Sequence, residues 1–268
     1  MPIKTYIIDA FTNKPFAGNP AGVCLLETVI EASLMQAIAN ELHFSETAFL
    51  QEIGENQYAI RYFTPTVEID FCGHATLASA KLVLDKLGED RVTFLTAKHL
   101  KIEAESMDGY IQMEFPLYGT EPYVPDKQLY EAFGITEPLA TEFCKELDML
   151  IVEVPDKETV LNLKPNYQKA IESTQKIKEL VVTAKSTDRE YDFYSRCFCP
   201  WIGINEDPVT GAAHCVLAKY WGGLLHKKEM SAYQLSNRGG FLKLKILSEN
   251  SLEVRSNAQI VFEGIMHV

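Results

Sequence analysis

The chain carries the same local pattern twice. Residues 61–67 and residues 196–202 place Arg, Phe, Pro and a β-branched residue at identical spacing, at an offset of 135 residues. Residues 73–75 and 211–213 then both begin with Gly and end with Ala, at an offset of 138, so the second copy has three additional residues around the turn-like segment 205–208. Two related halves, each with a glycine-initiated helix after a strand and a turn, predict two similar domains related by a pseudo-twofold axis. A site is expected between them.

The apolar segments that follow these glycines, and the short alternating segments around them, predict the fold class. Residues 73–87 and 211–225 have few charges on any face, and a helix that is apolar nearly all round must be buried. Many short alternating segments surround each helix and predict strands. We therefore expect an α+β protein with two pseudo-symmetric domains, each a mixed, mainly antiparallel sheet curled around a central helix.

A proline-rich stretch near the middle of the chain is the best candidate for a linker. It predicts an N-terminal domain over residues 1–118, with or without the last strand at about 258–268. The C-terminal domain is then predicted to span residues 119–257.

Composition excludes several kinds of partner. The 268 residues are 47% hydrophobic and 23% charged, as in an ordinary folded protein. The formal net charge of −12 argues against nucleic acid and anionic membranes, since both require a basic surface. The first residues have neither the apolar core nor the cleavage site of a signal peptide, so we expect a cytoplasmic protein.

The cysteine pattern does not predict a metal site. Six cysteines are scattered without a CxxC pair, and the six histidines form no HxxxH or HxH. Cys197 and Cys199 are expected on opposite faces of a strand. We therefore expect free cytoplasmic thiols and no structural zinc.

The two helix starts are candidate anion sites. Gly73 and Gly211 lie where the backbone can approach a ligand closely, and the free N–H groups at a helix N-terminus bind an anion without any basic side chain. For one copy alone, easier packing of helix on sheet is the simpler interpretation. The matched pair favours a receptor for a carboxylate or an enolate oxygen.

Three ionisable residues are candidates for chemistry. His74 lies in the first turn after Gly73, where it could contact a bound anion. Asp207 precedes Gly211 by four residues, although Asp before Pro is also a common turn former. Glu46 lies between a helix end and an apolar strand, where partial desolvation raises a carboxyl pKa towards the range useful for proton transfer. From spacing alone, a solvent-facing or capping glutamate is the favoured interpretation of Glu46.

Cys72 is interpreted as a packing residue. A thiolate at a helix N-terminus can act as a base. The matching position in the second copy is Thr210, however, so a pair of thiol acid/base groups cannot be built.

Five motifs together resemble the phenazine-biosynthesis PhzF-like family. They are FAGNPAGV at residues 16–23, SETAF at 45–49, RYFTP at 61–65, CGHAT at 72–76 and GINEDPVTG at 203–211. The resemblance covers nearly the whole chain and implies the diaminopimelate-epimerase-like fold, in which two domains each wrap a sheet around a central helix with the active site between them. It also implies a homodimer and a reaction that uses neither a cofactor nor a metal ion.

The resemblance assigns roles to residues of this chain. It implies that Glu46 is the catalytic acid/base and that His74 and Asp207 lie in the active site. The substrate-binding residues that it implies are Asn19, Gly73, Gly211 and Ala212. The family's best-known member has Ser where this chain has Ala212, so one hydroxyl donor to substrate is absent here.

The function expected from these observations is a cofactor-independent isomerase that moves a proton on a small carboxylate-bearing substrate. One alternative is an amino-acid epimerase or racemase, against which the absence of a second thiol argues. Another is a non-catalytic small-molecule binding protein on the same fold, against which the intact set of Glu46, His74 and Asp207 argues.

Overall fold

The computed structural model describes residues 1–268 and separates them into two compact units. The first unit is Met1–Glu114 with Val254–Val268, and the second is Phe115–Glu253. In chain order, the strands are β1 Pro2–Ala10, β2 Asn19–Leu26, β3 Thr47–Gly54, β4 Gln57–Phe63, β5 Glu68–Ile69, β6 Arg91–Thr96, β7 Lys101–Met107, β8 Tyr110–Pro116, β9 Glu121–Pro122, β10 Ala140–Cys144, β11 Met149–Glu153, β12 Glu179–Lys185, β13 Phe193–Cys199, β14 Ile204–Asp207, β15 Glu229–Gln234, β16 Gly240–Ser248, β17 Ser251–Ser256 and β18 Ala258–His267. The α-helices are α1 Ala32–Leu42, α2 Gly73–Lys81, α3 Lys127–Phe133, α4 Lys157–Leu161, α5 Tyr167–Ser173 and α6 Gly211–Leu225. No helix has the length and hydropathy that crossing a bilayer would require.

In the first unit, a mixed sheet surrounds α2. Strand β1 pairs antiparallel with β18 and β2, β2 runs parallel to β3, and β3 pairs antiparallel with β4. Strand β4 pairs antiparallel with β5 and parallel with β6, and β6, β7 and β8 continue in antiparallel order. Helix α2 contacts β1, β2, β3, β7 and β18, and its residues from His74 to Ala80 are all buried. The nearly uniform apolar character of this helix is therefore satisfied by a sheet that curls around it.

The second unit repeats the pairing order of the first. Strands β10 and β11 pair antiparallel, β11 and β12 parallel, β12 and β13 antiparallel, β13 and β15 parallel, and β15 and β16 antiparallel. The short strand β14 pairs with β13, as β5 pairs with β4. Helix α6 contacts β15 and β16, and Trp221 on α6 donates a hydrogen bond to Thr183 Oγ1 on β12. The predicted fold class, a mixed and mainly antiparallel sheet around a helix, is confirmed.

The repeated arginine motif forms the same ion pair in both units. Arg61 binds Glu68 through two hydrogen bonds of 2.7 Å, and Arg196 binds Glu206 through two of 2.7 and 2.9 Å. Each guanidinium also lies over the phenylalanine ring two residues further on, 5.2 and 4.9 Å from the ring centroid. Since the motif ties the short strand that follows to the longer strand that carries the arginine, the repeat reflects a structural requirement for this turn.

The division between the units falls after Glu114, four residues before the predicted boundary at 118. Leu117 donates a backbone hydrogen bond to Asn250, which ties this segment to the second unit. At the other end, Thr12 donates to the backbone carbonyl of Asn257, and β18 pairs with β1, so the last strand belongs to the first unit. Main-chain hydrogen bonds decide to which unit each segment belongs. The proline content of the sequence alone does not show these boundaries.

Cys197 and Cys199 lie on the same face of β13. Their Sγ atoms are 3.7 Å apart, so the expectation of opposite faces is wrong. Side chains two residues apart on a strand point to the same side because the pleat has a period of two.

Gly18 occupies a position that no side chain fits. Its φ is +68°, and an added Cβ would lie 2.0 Å from the backbone oxygen of Ala10. We expect Gly18→Ala to lower the free energy of unfolding by about 2 kcal/mol, because it adds a backbone clash to the strain of positive φ. Denaturant unfolding measures this loss.

Gly88→Ala is the matched control. Gly88 also has a positive φ, +80°, but nothing lies within 4 Å of an added Cβ. We expect a loss of about 1 kcal/mol from the backbone conformation alone. Equal losses in the two variants would show that the close approach to Ala10 does not matter.

Candidate active site

The backbone of Glu46 is fixed between α1 and β3. Helix α1 ends at Leu42, and His43, with a φ of 57°, turns the chain towards β3. Gly22 on β2 donates a backbone hydrogen bond of 3.3 Å to the Glu46 carbonyl. A Cβ at Gly22 would lie 2.9 Å from Thr47 Oγ1, so glycine allows this close approach of the two strands. The turn therefore holds Glu46 at the end of a buried parallel strand pair.

Three side chains from two separate segments form what we call the Glu46 cluster: Glu46, Cys72 and His74. Glu46 Oε2 lies 3.3 Å from His74 Nε2, and the Cys72 Sγ lies 3.3 Å from His74 Nδ1. The Cys72 thiol also hydrogen bonds to the Glu46 carboxylate. The side chain of Glu46 is 15% exposed and that of His74 is 9% exposed, so both are largely shielded from water.

Burial raises the pKa of Glu46 above its ordinary value, and the hydrogen bonds from Ser45 and Cys72 oppose the shift. Desolvation disfavours the charged carboxylate, which is the usual way in which a carboxyl group becomes suited to proton transfer near neutral pH. The interpretation of Glu46 as a solvent-facing glutamate does not fit this environment.

Cys72 is the member of the cluster that sequence reasoning missed. It is buried, in agreement with a packing role, but its sulfur also contacts both ionisable partners. In the sequence, Cys72 stands directly before Gly73 and two residues before His74, but this spacing does not show that Glu46 lies beside it. The thiol can donate a hydrogen bond to the Glu46 carboxylate and thereby favour its charged form.

Neither central helix begins with a side-chain cap. Side chains of Asp126, Asp156 and Asn166 cap α3, α4 and α5, whereas α2 and α6, like α1, have no such cap. The first N–H groups of a helix have no partner within the helix and need another acceptor. The start of each central helix is therefore compatible with the predicted anion site, as is the start of any helix without a side-chain cap.

Asp207 is held in the turn that leads into α6. The Thr210 hydroxyl donates a hydrogen bond of 2.5 Å to Asp207 Oδ2. Gln234 on β15 is fully buried, donates to the Asp207 carbonyl at 2.7 Å, and accepts from the Thr210 backbone N–H at 2.9 Å. Gln234 was not predicted, because its role depends on a strand pairing 27 residues away along the chain. The Asp207 side chain contributes to this turn, and its part in chemistry stays a prediction.

The other candidate residues fall in both units. Asn19 is fully buried at the start of β2, and Gly73 is partly exposed at the start of α2. Gly211 is partly exposed and Ala212 is exposed at the start of α6. Their binding of one ligand stays a prediction.

The Glu46 cluster also has donor atoms of the types that metals accept. One oxygen, one sulfur and one nitrogen atom from Glu46, Cys72 and His74 lie within 4.8 Å of one another. Because the same atoms form direct hydrogen bonds with each other, acid/base chemistry and metal binding are competing uses of the cluster. A chelator separates them experimentally.

The fold and the site define a class of protein. In this class, a sheet curls around a central helix that has no side-chain cap, and a shielded carboxyl group lies beside that helix. The family model of phenazine biosynthesis-like proteins, PhzC-PhzF, matches residues 8–264. The chain belongs to this family.

Individual relatives cover the chain almost completely. A protein of Halalkalibacterium halodurans named as an uncharacterized isomerase is 43% identical over 250 residues, which is 92% of each chain. The crystal structure of a PhzF family protein from Enterococcus faecalis has a TM-score of 0.92 at 35% identity and covers 100% of both chains. A predicted epimerase of Pseudomonas aeruginosa has a TM-score of 0.73 at 20% identity over 99% of both chains, which shows that the fold is shared.

Proposed function

We propose that this protein is a cofactor-independent isomerase that moves a proton on a small carboxylate-bearing substrate, with Glu46 as the acid/base. The observation that carries the proposal is the shielded Glu46 carboxyl group with its raised pKa, in contact with His74 and Cys72 at the start of α2. The relative of Halalkalibacterium halodurans that is named an isomerase supports the same reaction class.

In the proposed reaction, Glu46 removes a proton from a carbon activated by an adjacent carboxylate, enol or diene. The electrons of the broken C–H bond enter the conjugated system, and the proton resides on the Glu46 carboxyl group. The carboxyl group then returns a proton to a different carbon, so the product is an isomer and no electron acceptor is needed. His74 Nε2, at 3.3 Å from Glu46 Oε2, orients the carboxyl group through this transfer.

The uncapped helix starts supply the second requirement, stabilisation of negative charge. The proposed anion places its developing charge on the first N–H groups of α2, at Gly73. Gly211 and Ala212 hold the corresponding positions at the start of α6 and are proposed as substrate-binding residues. Oriented donors of this kind often make the largest electrostatic contribution to such a reaction. Asn19 and Asp207 are proposed to bind the substrate's polar groups.

An amino-acid epimerase is the second candidate, because one observation favours it. Cys72 contacts both Glu46 and His74, so a thiol is present where an epimerase base could act. Thr210 stands at the corresponding position before α6 and cannot serve as a second thiol base. The isomerase proposal therefore predicts that Cys72→Ala retains proton exchange, whereas a thiol-based epimerase would lose it.

Solvent exchange tests the proposal. The wild-type protein is incubated in D2O with cyclic and acyclic carboxylates that have an acidic C–H bond, and NMR follows deuterium incorporation and product formation. The proposal expects deuterium at the carbon that receives the proton, in an isomeric product, unchanged by EDTA. Binding of these compounds without exchange at any carbon would support the non-catalytic binding protein instead.

Asp207→Asn should reduce the exchange rate about 10-fold, the effect of losing one hydrogen bond to a charged group. The amide oxygen can still accept from Thr210, so the turn before α6 should remain and the melting temperature should change little. Exchange kinetics and thermal unfolding measure the two effects.

Asp156→Asn is the control, since Asp156 also accepts hydrogen bonds in a turn before a helix. It should leave exchange unchanged. If the two variants have the same exchange rate, Asp207 has only its role in the turn.

A further inference from the structure

A second cluster of side chains that can bind a metal ion lies within the second unit, on strands β12 and β13. The register pairs Val181 with Cys197, so the side chains of Glu179, Cys197 and Cys199 share one face of the sheet. Cys197 Sγ lies 3.7 Å from Cys199 Sγ and 3.6 Å from Glu179 Oε2. All three donor atoms lie within 4.8 Å of one another.

Two of the three distances among these donor atoms match the edges of a metal tetrahedron. With Zn–S bonds of about 2.3 Å and Zn–O bonds of about 2.1 Å, tetrahedral angles place two sulfur ligands about 3.8 Å apart and a sulfur and an oxygen ligand about 3.6 Å apart. An ion can therefore enter among these side chains with little movement of the strands. Thiolate and carboxylate are also ligand types that Zn²⁺ accepts.

We propose that Glu179, Cys197 and Cys199 bind one zinc ion. The two cysteines are almost fully buried, whereas Glu179 is partly exposed and provides the side from which the ion enters. On binding, each thiol releases its proton to solvent as its sulfur bonds to the metal, and water occupies the fourth position. No electron is transferred.

The site is distinct from the Glu46 cluster and does not depend on the proposed isomerase reaction. Cys197 on β13 is paired with Asp207 on the short strand β14. A bound ion would therefore hold β13 against the strand that carries Asp207. We therefore expect zinc to stabilise the protein against unfolding, because a ligand that binds only the folded state raises the melting temperature.

Metal titration of the reduced, EDTA-treated protein tests the proposal. Co²⁺ should bind in one equivalent with a thiolate-to-metal charge-transfer absorption, and Zn²⁺ should displace it. Cys197→Ser and Cys199→Ser, separately and together, should remove this absorption and weaken Zn²⁺ binding on the order of 100-fold or more, beyond what altering an outer-shell partner costs. Cys144→Ser is the control, because Cys144 is a buried thiol of the same unit that hydrogen bonds to Glu146. It should bind as the wild type does.

Glu179→Gln keeps both thiols and the size of the side chain. It therefore tests the proposal even if the serine variants fail to fold. It should retain the cobalt–thiolate absorption, weaken Zn²⁺ binding at least about 10-fold, and reduce the rise in melting temperature that zinc causes. Cys72→Ala should bind one equivalent of metal with the same affinity as the wild type.

The proposal is overturned if the wild type shows no cobalt–thiolate absorption. Metal binding that survives the double serine variant but is lost in Cys72→Ala would overturn it as well, by assigning the metal to the Glu46 cluster.

Discussion

Glu46→Gln is expected to lower the rate of deuterium incorporation into substrate on the order of 10²-fold or more, while ligand binding survives. The amide keeps the size and hydrogen bonding of the side chain but cannot accept a proton from carbon, and positioned acid/base groups contribute at least this much. NMR exchange kinetics measure the rate, and calorimetry measures binding. In the wild type, the rate should fall as the pH drops through the raised pKa of Glu46, because only the carboxylate is a base.

The stability of Glu46→Gln separates a catalytic role from a structural role. Burial makes the charged carboxylate unfavourable in the folded state at neutral pH, so its removal should leave the melting temperature unchanged or higher. Glu41→Gln, at an exposed position on α1, is the control and should have wild-type exchange. Exchange at the wild-type rate in Glu46→Gln would show that another group is the base.

A loss of about 3 kcal/mol of stability is expected from His214 alone as the pH falls from about 6.5 to 4. His214 is fully buried on α6, and burial lowers its pKa to about 4, although the hydrogen bond from Nδ1 to the Thr210 carbonyl partly opposes the shift. Its Nε2 has no hydrogen-bond partner in the structure. The unfolded histidine accepts a proton near pH 6.5, whereas the folded one does so only near 4. This contribution is therefore complete above pH 6.5 and decreases as the pH falls towards 4.

Denaturant unfolding at a series of pH values measures this effect. His214→Gln should lack this part of the pH dependence, so its difference in unfolding free energy from the wild type should shrink as the pH falls from 6.5 to 4. His267→Gln, at an exposed site on β18, should follow the wild-type curve. A constant difference between His214→Gln and the wild type over this range would contradict the assignment.

The central helices could be predicted because their signals are local. Gly73 and Gly211 stand at the first residues of α2 and α6, and the apolar residues that follow are buried as the patterns require. The repeated Arg-x-Phe-x-Pro spacing was also visible, but its partners were not recognised. Glu68 and Glu206 have the 138-residue offset of the helix starts, and the structure shows that they complete the ion pairs.

Errors about cysteine arose from two different causes. The expectation for Cys197 and Cys199 misapplied the strand period, which the sequence itself was sufficient to decide. The contacts of Cys72 with Glu46 and His74, in contrast, depend on where the turn before β3 meets the start of α2. No spacing within either segment contains that information.

Local sequence accounts for the two-fold repeat, the burial of the central helices and the residue types at their starts, because each depends on neighbours within a few turns or one strand. Contacts between distant segments account for the shielding of Glu46 beside His74, for the bonds by which Gln234 holds the turn of Asp207, and for the place of Glu179 next to two thiols. These juxtapositions result from the pairing of β2 with β3, of β12 with β13, and from the packing of each helix against its sheet. Such contacts form between distant segments only when the hydrophobic surfaces of the whole unit are buried together.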